Sequence, residues 1–391
     1  MENCNSFTCP ICGNTDIHSI GILNGKPYCR RCISFRGEEV EHKPSYPKKA
    51  PIHLEYELSP EQKELSKKLV ENYKKGIDSL VFAVCGSGKT EIVLQIIQYA
   101  LNCGEKVAFA LPRKDVCIEL SNRLKHIFSK NKVISVYGGH TKEKTGDIIM
   151  LTTHQLYRYK HYFNLIILDE IDAFPFKGNK ILESMFFDSL NGHYVLMSAT
   201  PSKDVINHFS KEGKDILKLQ TRFHKHPLPV PMFIKGPTPY LFLYLLKKIS
   251  KYKSEMKQLF IFAPTIEECE SLFSKIKLFF KDGNCVHSKK KNRNEIIDAF
   301  RKKIYLYLVT TSVLERGITM PNLQVIIYKS HKNLYDSGTL IQISGRVGRK
   351  AIAPEGEVIF LANKITQDMK EARDEIIRNN RVLQDMLFKD Q

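Results

Sequence analysis

The stretch Ser79-Leu-Val-Phe-Ala83-Val-Cys-Gly86-Ser87-Gly88-Lys89-Thr90 decides the fold of this chain. Its apolar run from Ser79 to Val84 reads as a buried strand, and a glycine-bearing loop then opens a helix at Glu91. That order builds a phosphate cradle. Gly86, Ser87 and Gly88 let successive backbone N–H groups point at phosphate oxygens, and the helix N-terminus adds its positive dipole. Lys89 is placed to reach the β- and γ-phosphates, and the Thr90 hydroxyl to bind Mg²⁺. Ala83 stands where the general pattern has glycine, and Cys85 inside the loop reads as a small tolerated residue.

Working outward, Leu165-Ile-Ile-Leu-Asp169-Glu170-Ile-Asp172 is an apolar strand that ends in carboxylates. Beside a phosphate loop, Asp169 is expected to hold Mg²⁺ through water and Glu170 to polarise the attacking water. Ser198 and Thr200 flank Ala199 at the end of a further strand. Their hydroxyls are expected either to bond Asp172 or His193 and transmit nucleotide state, or to be an ordinary polar strand end. Far downstream, Gln342-Ile-Ser-Gly-Arg346-Val-Gly-Arg349 places two arginines three residues apart. On a helix-like segment they share a side, and they suit the stabilisation of charge on a transferring phosphoryl group. The bland alternative is a basic helix face.

From Leu58 onward short apolar runs alternate with helical patterns, the signature of parallel α/β architecture. Strands are expected at Ser79–Val84, Lys106–Pro112, Val133–Tyr137, Ile148–Thr152, Leu165–Asp169 and Tyr194–Ser198, then at Gln258–Ala263, Tyr305–Thr310, Leu323–Tyr328 and Glu357–Leu361. Between the two series lies a cluster of prolines, read as a hinge over 226–239 that joins an α/β domain at 58–225 to another at 240–391. A basic, proline-bearing linker over 41–57 precedes them, behind a cysteine module at 1–40.

In that module Cys9-Pro-Ile-Cys12 and Cys29-Arg-Arg-Cys32 are separated by sixteen residues, the spacing of a zinc ribbon. Four sulfur ligands close the coordination sphere, so a Zn²⁺ there is expected to be structural; a redox dithiol is the alternative. Arg30, Arg31 and Arg36 lean toward a nucleic-acid grip, and Cys4 is spare.

The 391 residues carry 60 Lys and Arg against 42 Asp and Glu, a net charge of +18. That surplus points to a polyanionic partner, or simply to a lysine-rich soluble surface. A hydrophobic content of 42% excludes disorder for most of the chain. No apolar run reaches the ~18–20 residues that span a bilayer, and no signal peptide is visible, so the expected location is cytoplasmic.

Taken in order, these motifs resemble those of superfamily two helicases, whose phosphate loop commonly reads A-x-x-G-x-G-K-T, with Ala83 in place. The resemblance implies two tandem RecA-like domains with ATP and Mg²⁺ between them, Gln62 reading adenine, and Gly317 at the nucleotide. It also implies coupling through Asp172, Ser198, Thr200 and Gln342, and backbone contacts from Arg113, Thr152, Thr153 and Thr311. More narrowly, the four-cysteine module, Asp169-Glu-Ile-Asp-Ala-Phe-Pro175, Arg222-Phe-His-Lys-His-Pro-Leu-Pro229 and Leu314-Glu-Arg-Gly-Ile-Thr319 resemble the late-competence DNA-uptake ATPases. That family implies a zinc-bearing, ATP-driven translocase of single-stranded DNA in natural transformation. Competence proteins would be its partners, with peripheral association to a membrane uptake channel and no transmembrane segment of its own. Ile171, Gln342 and Thr319 depart from RNA-acting DEAD-box relatives. A replication-restart or repair helicase, an RNA helicase and an ATP-switched zinc adaptor remain the alternatives.

Overall fold

The apolar runs of the first series become strands of a seven-stranded, all-parallel sheet. The computed structural model describes residues 7–389 apart from Asn24, 33–34, 36–37, Cys85, 174–175, 315–319 and 350–351. Gly317, Thr319, Cys4, Arg36 and Cys85 therefore lie outside the described residues.

The strands in chain order are β1 (Ile20–Leu23), β2 (Lys26–Cys29), β3 (Ser79–Ala83), β4 (Val107–Leu111), β5 (Val133–Val136), β6 (Ile148–Thr152), β7 (Phe163–Asp169), β8 (Leu190–Ser198) and β9 (Asp215–Leu219). They continue as β10 (Met232–Lys235), β11 (Gln258–Phe262), β12 (Gly283–Val286), β13 (Tyr307–Thr310), β14 (Leu323–Tyr328) and β15 (Val358–Ala362). The chain divides into two compact units, one of Met1–Ala83 with Gly88–Leu219, the other of Val84–Ser87 with Gln220–Gln391.

In the first unit the sheet order is β5-β6-β4-β7-β8-β3-β9. β4, β6 and the apolar stretch of β7 are buried on both faces, as a parallel sheet covered by helices requires. Register fixes where the motifs end: Phe82 on β3 pairs with Ser198 on β8, and Met197 on β8 pairs with Asp169 on β7. The phosphate loop, Asp169 and Ser198 thus issue from the carboxyl ends of three adjacent strands, where ligands bind in open parallel sheets. The cysteine module is not a separate third unit. Ile11, Phe35 and Ile181 pack both against its cysteines and against the core beneath the first sheet.

The second unit holds a six-stranded parallel sheet ordered β10-β15-β14-β11-β13-β12. β10 lies inside the stretch expected to be a hinge. It is the proline-free interval between Pro231 and Pro237, paired on one side only, and an edge position tolerates flanking prolines. The helix Thr238–Ser254 then starts with Pro239 in its first turn, where no N–H is needed.

A charged cluster ties that helix to β15. Lys248, Lys251 and the Tyr252 hydroxyl all donate to Glu357. Burial works to raise the Glu357 pKa, but these donors outweigh it and hold the carboxyl down at about 2. A carboxylate whose folded pKa is depressed contributes stability above its unfolded value near 4.5, and that contribution is lost as pH falls toward 2. Glu357→Gln is expected to lower the melting temperature of the second unit by roughly 4–8 °C at pH 7, from about 2 kcal/mol. In thermal melts from pH 7 to 3 the gap between variant and parent should narrow below pH 5. A constant gap across that range would contradict the assignment.

Candidate nucleotide and metal sites

The phosphate loop depends on two glycines in left-handed conformation, Gly86 at φ 86° and Gly88 at φ 81°. Gly88 caps the helical turn Lys89–Ile92. At φ 81° any side chain on residue 88 would be strained, and a Cβ there would also displace the Gln62 amide, 2.3 Å away. Lys89 Nζ lies 3.5 Å from Asp169 Oδ1, and both side chains are largely enclosed. Lysine and strand-end carboxylate therefore meet where a phosphate-bound Mg²⁺ would be shared.

Glu170 sits in the left-handed region at φ 60°, a conformation that costs a non-glycine residue about 1–3 kcal/mol. Its N–H donates to Asp169 Oδ1 at 2.8 Å. The strain turns the chain sharply where β7 ends.

Two hydroxyls converge on Asp172: Ser198 Oγ donates to Oδ1 at 2.8 Å and Thr200 Oγ1 to Oδ2 at 2.7 Å. The structure thereby chooses between the two partners read from the sequence, because His193 bonds Asp78 instead. Gln62 is buried and closes a capping box, its Oε1 accepting from the Ser59 N–H at 2.9 Å.

Sequence reasoning missed one group beside the loop. Tyr56 donates to Glu91 Oε1 at 2.6 Å, and Arg123 bonds both Tyr56, at 2.7 Å, and Glu91. Burial and the Glu91 carboxylate push the Tyr56 phenol up to about 12. Glu91 follows Thr90 directly, yet its partners come from distant segments, so no local pattern announces the triad.

The four residues expected on a nucleic-acid backbone are not equally presented. Thr153 is fully buried, and Thr152 and Thr311 nearly so. Arg113 keeps a half-buried side chain that grips Asp115 through two hydrogen bonds, at 3.2 and 2.6 Å.

In the second unit the helix Ser337–Ser344 stops at Gly345, so Arg346 and Arg349 leave from a turn and not from a shared helix face. Gln342 and Arg346 are buried, and Arg349 Nε donates to the Gly345 carbonyl at 3.0 Å. Arg222, only 2% exposed, donates to the Gly348 carbonyl at 2.7 Å and to the Gly345 carbonyl at 3.3 Å. His224 Nε2 reaches the Gly348 carbonyl as well, at 3.0 Å.

The sulfurs of Cys9, Cys12, Cys29 and Cys32 all lie within 4.8 Å of one another. A tetrahedron of Zn–S bonds near 2.3 Å requires sulfurs about 3.8 Å apart, and Cys12 and Cys29 Sγ are 3.8 Å apart. The hairpin of β1 and β2 spaces the pairs, Gly13 takes φ 62° in the first knuckle, and the Gly13 N–H returns to the Cys9 carbonyl. Burial opposes ionisation of Cys29, yet the N–H groups of Arg31 and Cys32 draw its pKa down, while burial pushes the Cys12 and Cys32 thiols up, so ionisation of those two would depend on a bound metal. The donor set fits a structural Zn²⁺.

Comparison with known proteins agrees with this geometry. Residues 55–203 match the family described as "Type III restriction enzyme, res subunit", and residues 242–351 the "Helicase conserved C-terminal domain". The chain is 32% identical to the competence protein ComFA of Bacillus subtilis, over 96% of its own length and 86% of that protein. It is 30% identical to ComFA of Streptococcus pneumoniae, over 95% and 90% respectively. Among solved structures it is similar to yeast (S. cerevisiae) Dbp5 bound to RNA and ADP BeF3, with a TM-score of 0.60 at 17% identity, covering 83% of this chain and 92% of that one.

Proposed function

The chain belongs to the ComFA competence-protein family, whose two motor units make it an ATP-hydrolysing helicase-type enzyme, and from that premise we propose that it is a single-stranded-DNA translocase driving uptake in natural transformation. The observation that carries the reading is the meeting of Lys89 and Asp169, with Glu170 beside them, at the carboxyl ends of β3 and β7, the two strands that flank β8. In this assignment the loop N–H groups and Lys89 hold the phosphates, while Thr90 and Asp169 hold Mg²⁺. Glu170 orients the water, and Arg346 and Arg349 stabilise the transferring phosphoryl group. Asp172, with Ser198 and Thr200, and Gln342 pass the nucleotide state on to the nucleic-acid contacts.

Likeness to an RNA-bound protein fixes the fold and not the substrate. The choice of single-stranded DNA rests on the competence relatives and on Gln342 and Ile171, which depart from the RNA-acting pattern. Sequence-independent grip suits the +18 charge, because a motor must hold any backbone and release it each cycle. Among the described residues no helix is long and apolar enough to cross a membrane, so contact with an uptake channel would be peripheral and run through competence partners.

The test is ATPase rate at fixed salt with no nucleic acid, single-stranded DNA, duplex DNA and RNA. Single-stranded DNA is expected to stimulate most. Stimulation by RNA alone would overturn the substrate assignment.

A further inference from the structure

The four-cysteine module and the segment Thr152-Thr-His-Gln-Leu156 stand far apart in the sequence, and the structure brings them together. Phe35, three residues after the last cysteine, stacks on His154 with ring centroids 6.0 Å apart and planes at 18°. The same ring meets Tyr157 edge-on at 5.9 Å. Both partners sit on the short helical segment Thr153–Arg158 that continues directly from β6. Phe35 also packs against the buried cysteines Cys9, Cys29 and Cys32, and Ile11, from inside the first knuckle, shares both environments.

The chain leaving the module then straps the segment from its far end. The Val40 N–H donates to the Arg158 carbonyl at 2.8 Å, Arg158 Nη1 reaches the Glu38 carbonyl at 3.4 Å, and Lys144 pairs with Glu38 at 2.9 Å. Arg158 Nε is held by Gln155 at 2.8 Å. Burial keeps the His154 imidazole below its ordinary pKa, so the ring remains neutral against Phe35. Meanwhile Arg31, which on sequence grounds leaned toward a direct grip, spends its guanidinium inside the module on Asp16 and Ser19.

We propose that the four-cysteine metal centre, through Phe35, positions the Thr153–Arg158 segment, so that metal loading sets affinity for single-stranded DNA without touching ATP chemistry. The proposal rests on the reading of Thr152 and its neighbours as nucleic-acid contacts. Thr153 is buried and contacts nothing outside the protein directly, so what the segment presents depends on how its backbone and the side chains beside it are held. An interior packed to crystal density passes displacement of one ring on to the next. Phe35 is a positioning residue in this scheme, and the metal is its anchor.

The experiment compares full-length parent, Phe35→Ala, Phe35→Tyr and Phe35→Leu. It reads zinc content, ATPase without nucleic acid, and the Kd for fluorescein-labelled oligo-dT by anisotropy at fixed salt. Phe35→Ala is expected to keep its zinc and its DNA-free ATPase while its Kd rises about fivefold. Phe35→Tyr, which keeps the stack, should stay near the parent. Phe35→Leu, apolar without the stack, should fall between, and it carries the test if the alanine variant loses metal. Chelation of the parent should raise Kd in the same direction, and chelation of Phe35→Ala should add little.

A Kd for Phe35→Ala within twofold of the parent would overturn the proposal. So would chelation that weakens Phe35→Ala as much as it weakens the parent, because the module itself would then hold the DNA. Failure of the parent to bind oligo-dT while binding oligo-U would instead break the substrate reading; the Phe35 series read with oligo-U would then decide the brace separately.

Discussion

Glu170→Gln is expected to bind Mg-ATP close to normally and to hydrolyse it about 10²–10⁴-fold more slowly, the range for removal of a general base. Glutamine preserves side-chain length and hydrogen bonding but cannot take a proton from water. The backbone at this position is strained at φ 60° whichever side chain it carries, so the substitution leaves the turn between β7 and the following segment as it is. The Glu170 N–H still donates to Asp169, and Lys89 still meets Asp169. Nucleotide and metal should thus be held while the chemistry stalls. Asp169→Asn gives the contrast: it removes the carboxylate that faces Lys89 and is proposed to hold Mg²⁺, so nucleotide affinity should fall together with turnover. Steady-state ATPase paired with equilibrium binding of an unhydrolysed analogue separates the two. Turnover in Glu170→Gln within tenfold of the parent would place the base elsewhere.

Much of this site is legible in the sequence because parallel strands announce themselves twice, by apolar runs and by the motifs at their carboxyl ends. β3, β4, β6 and β7 are nearly continuous apolar stretches, and their burial on both faces is why. At the two sheet edges, β10 is wedged among prolines and partly exposed, while β12 is buried but only four residues long and opens with Gly283 and Asn284. Neither stands out. The cysteine spacing announces the four-sulfur donor set, since two close pairs are a local pattern. Its seat is another matter: Phe35 and His154 meet only through the fold, and a single aromatic carries no periodicity. The same limit hides Tyr56, Glu91 and Arg123. The turn that carries Arg346 and Arg349 is not legible, because Gly345 ends the helix that would have aligned them.

Arg222→Ala is expected to lower the stability of the second unit by about 3 kcal/mol and its melting temperature by roughly 6–12 °C. It should also impair ATP hydrolysis more than ATP binding. The reason is the company Arg222 keeps. Its buried guanidinium holds the carbonyls of Gly345 and Gly348, the two residues that bracket Arg346 and precede Arg349. That turn has no slack: Gly348 is left-handed at φ 65°, and a Cβ there would lie 2.0 Å from the Pro354 carbonyl oxygen. Removal of the guanidinium leaves the Gly348 carbonyl to His224 and the Gly345 carbonyl to Arg349 Nε, and it takes away the buried clamp that joins the two ends of the turn. Lysine carries the charge without the planar fork, so Arg222→Lys should recover part of the stability but little of the hydrolysis. Added guanidinium ion should restore hydrolysis to Arg222→Ala by refilling the clamp on the Gly345 and Gly348 carbonyls. Melting curves, kcat and KM for ATP, and the rescue series decide it. Normal kcat in a destabilised Arg222→Ala would make the clamp a matter of folding alone, and full activity in Arg349→Ala would remove Arg349 from the chemistry.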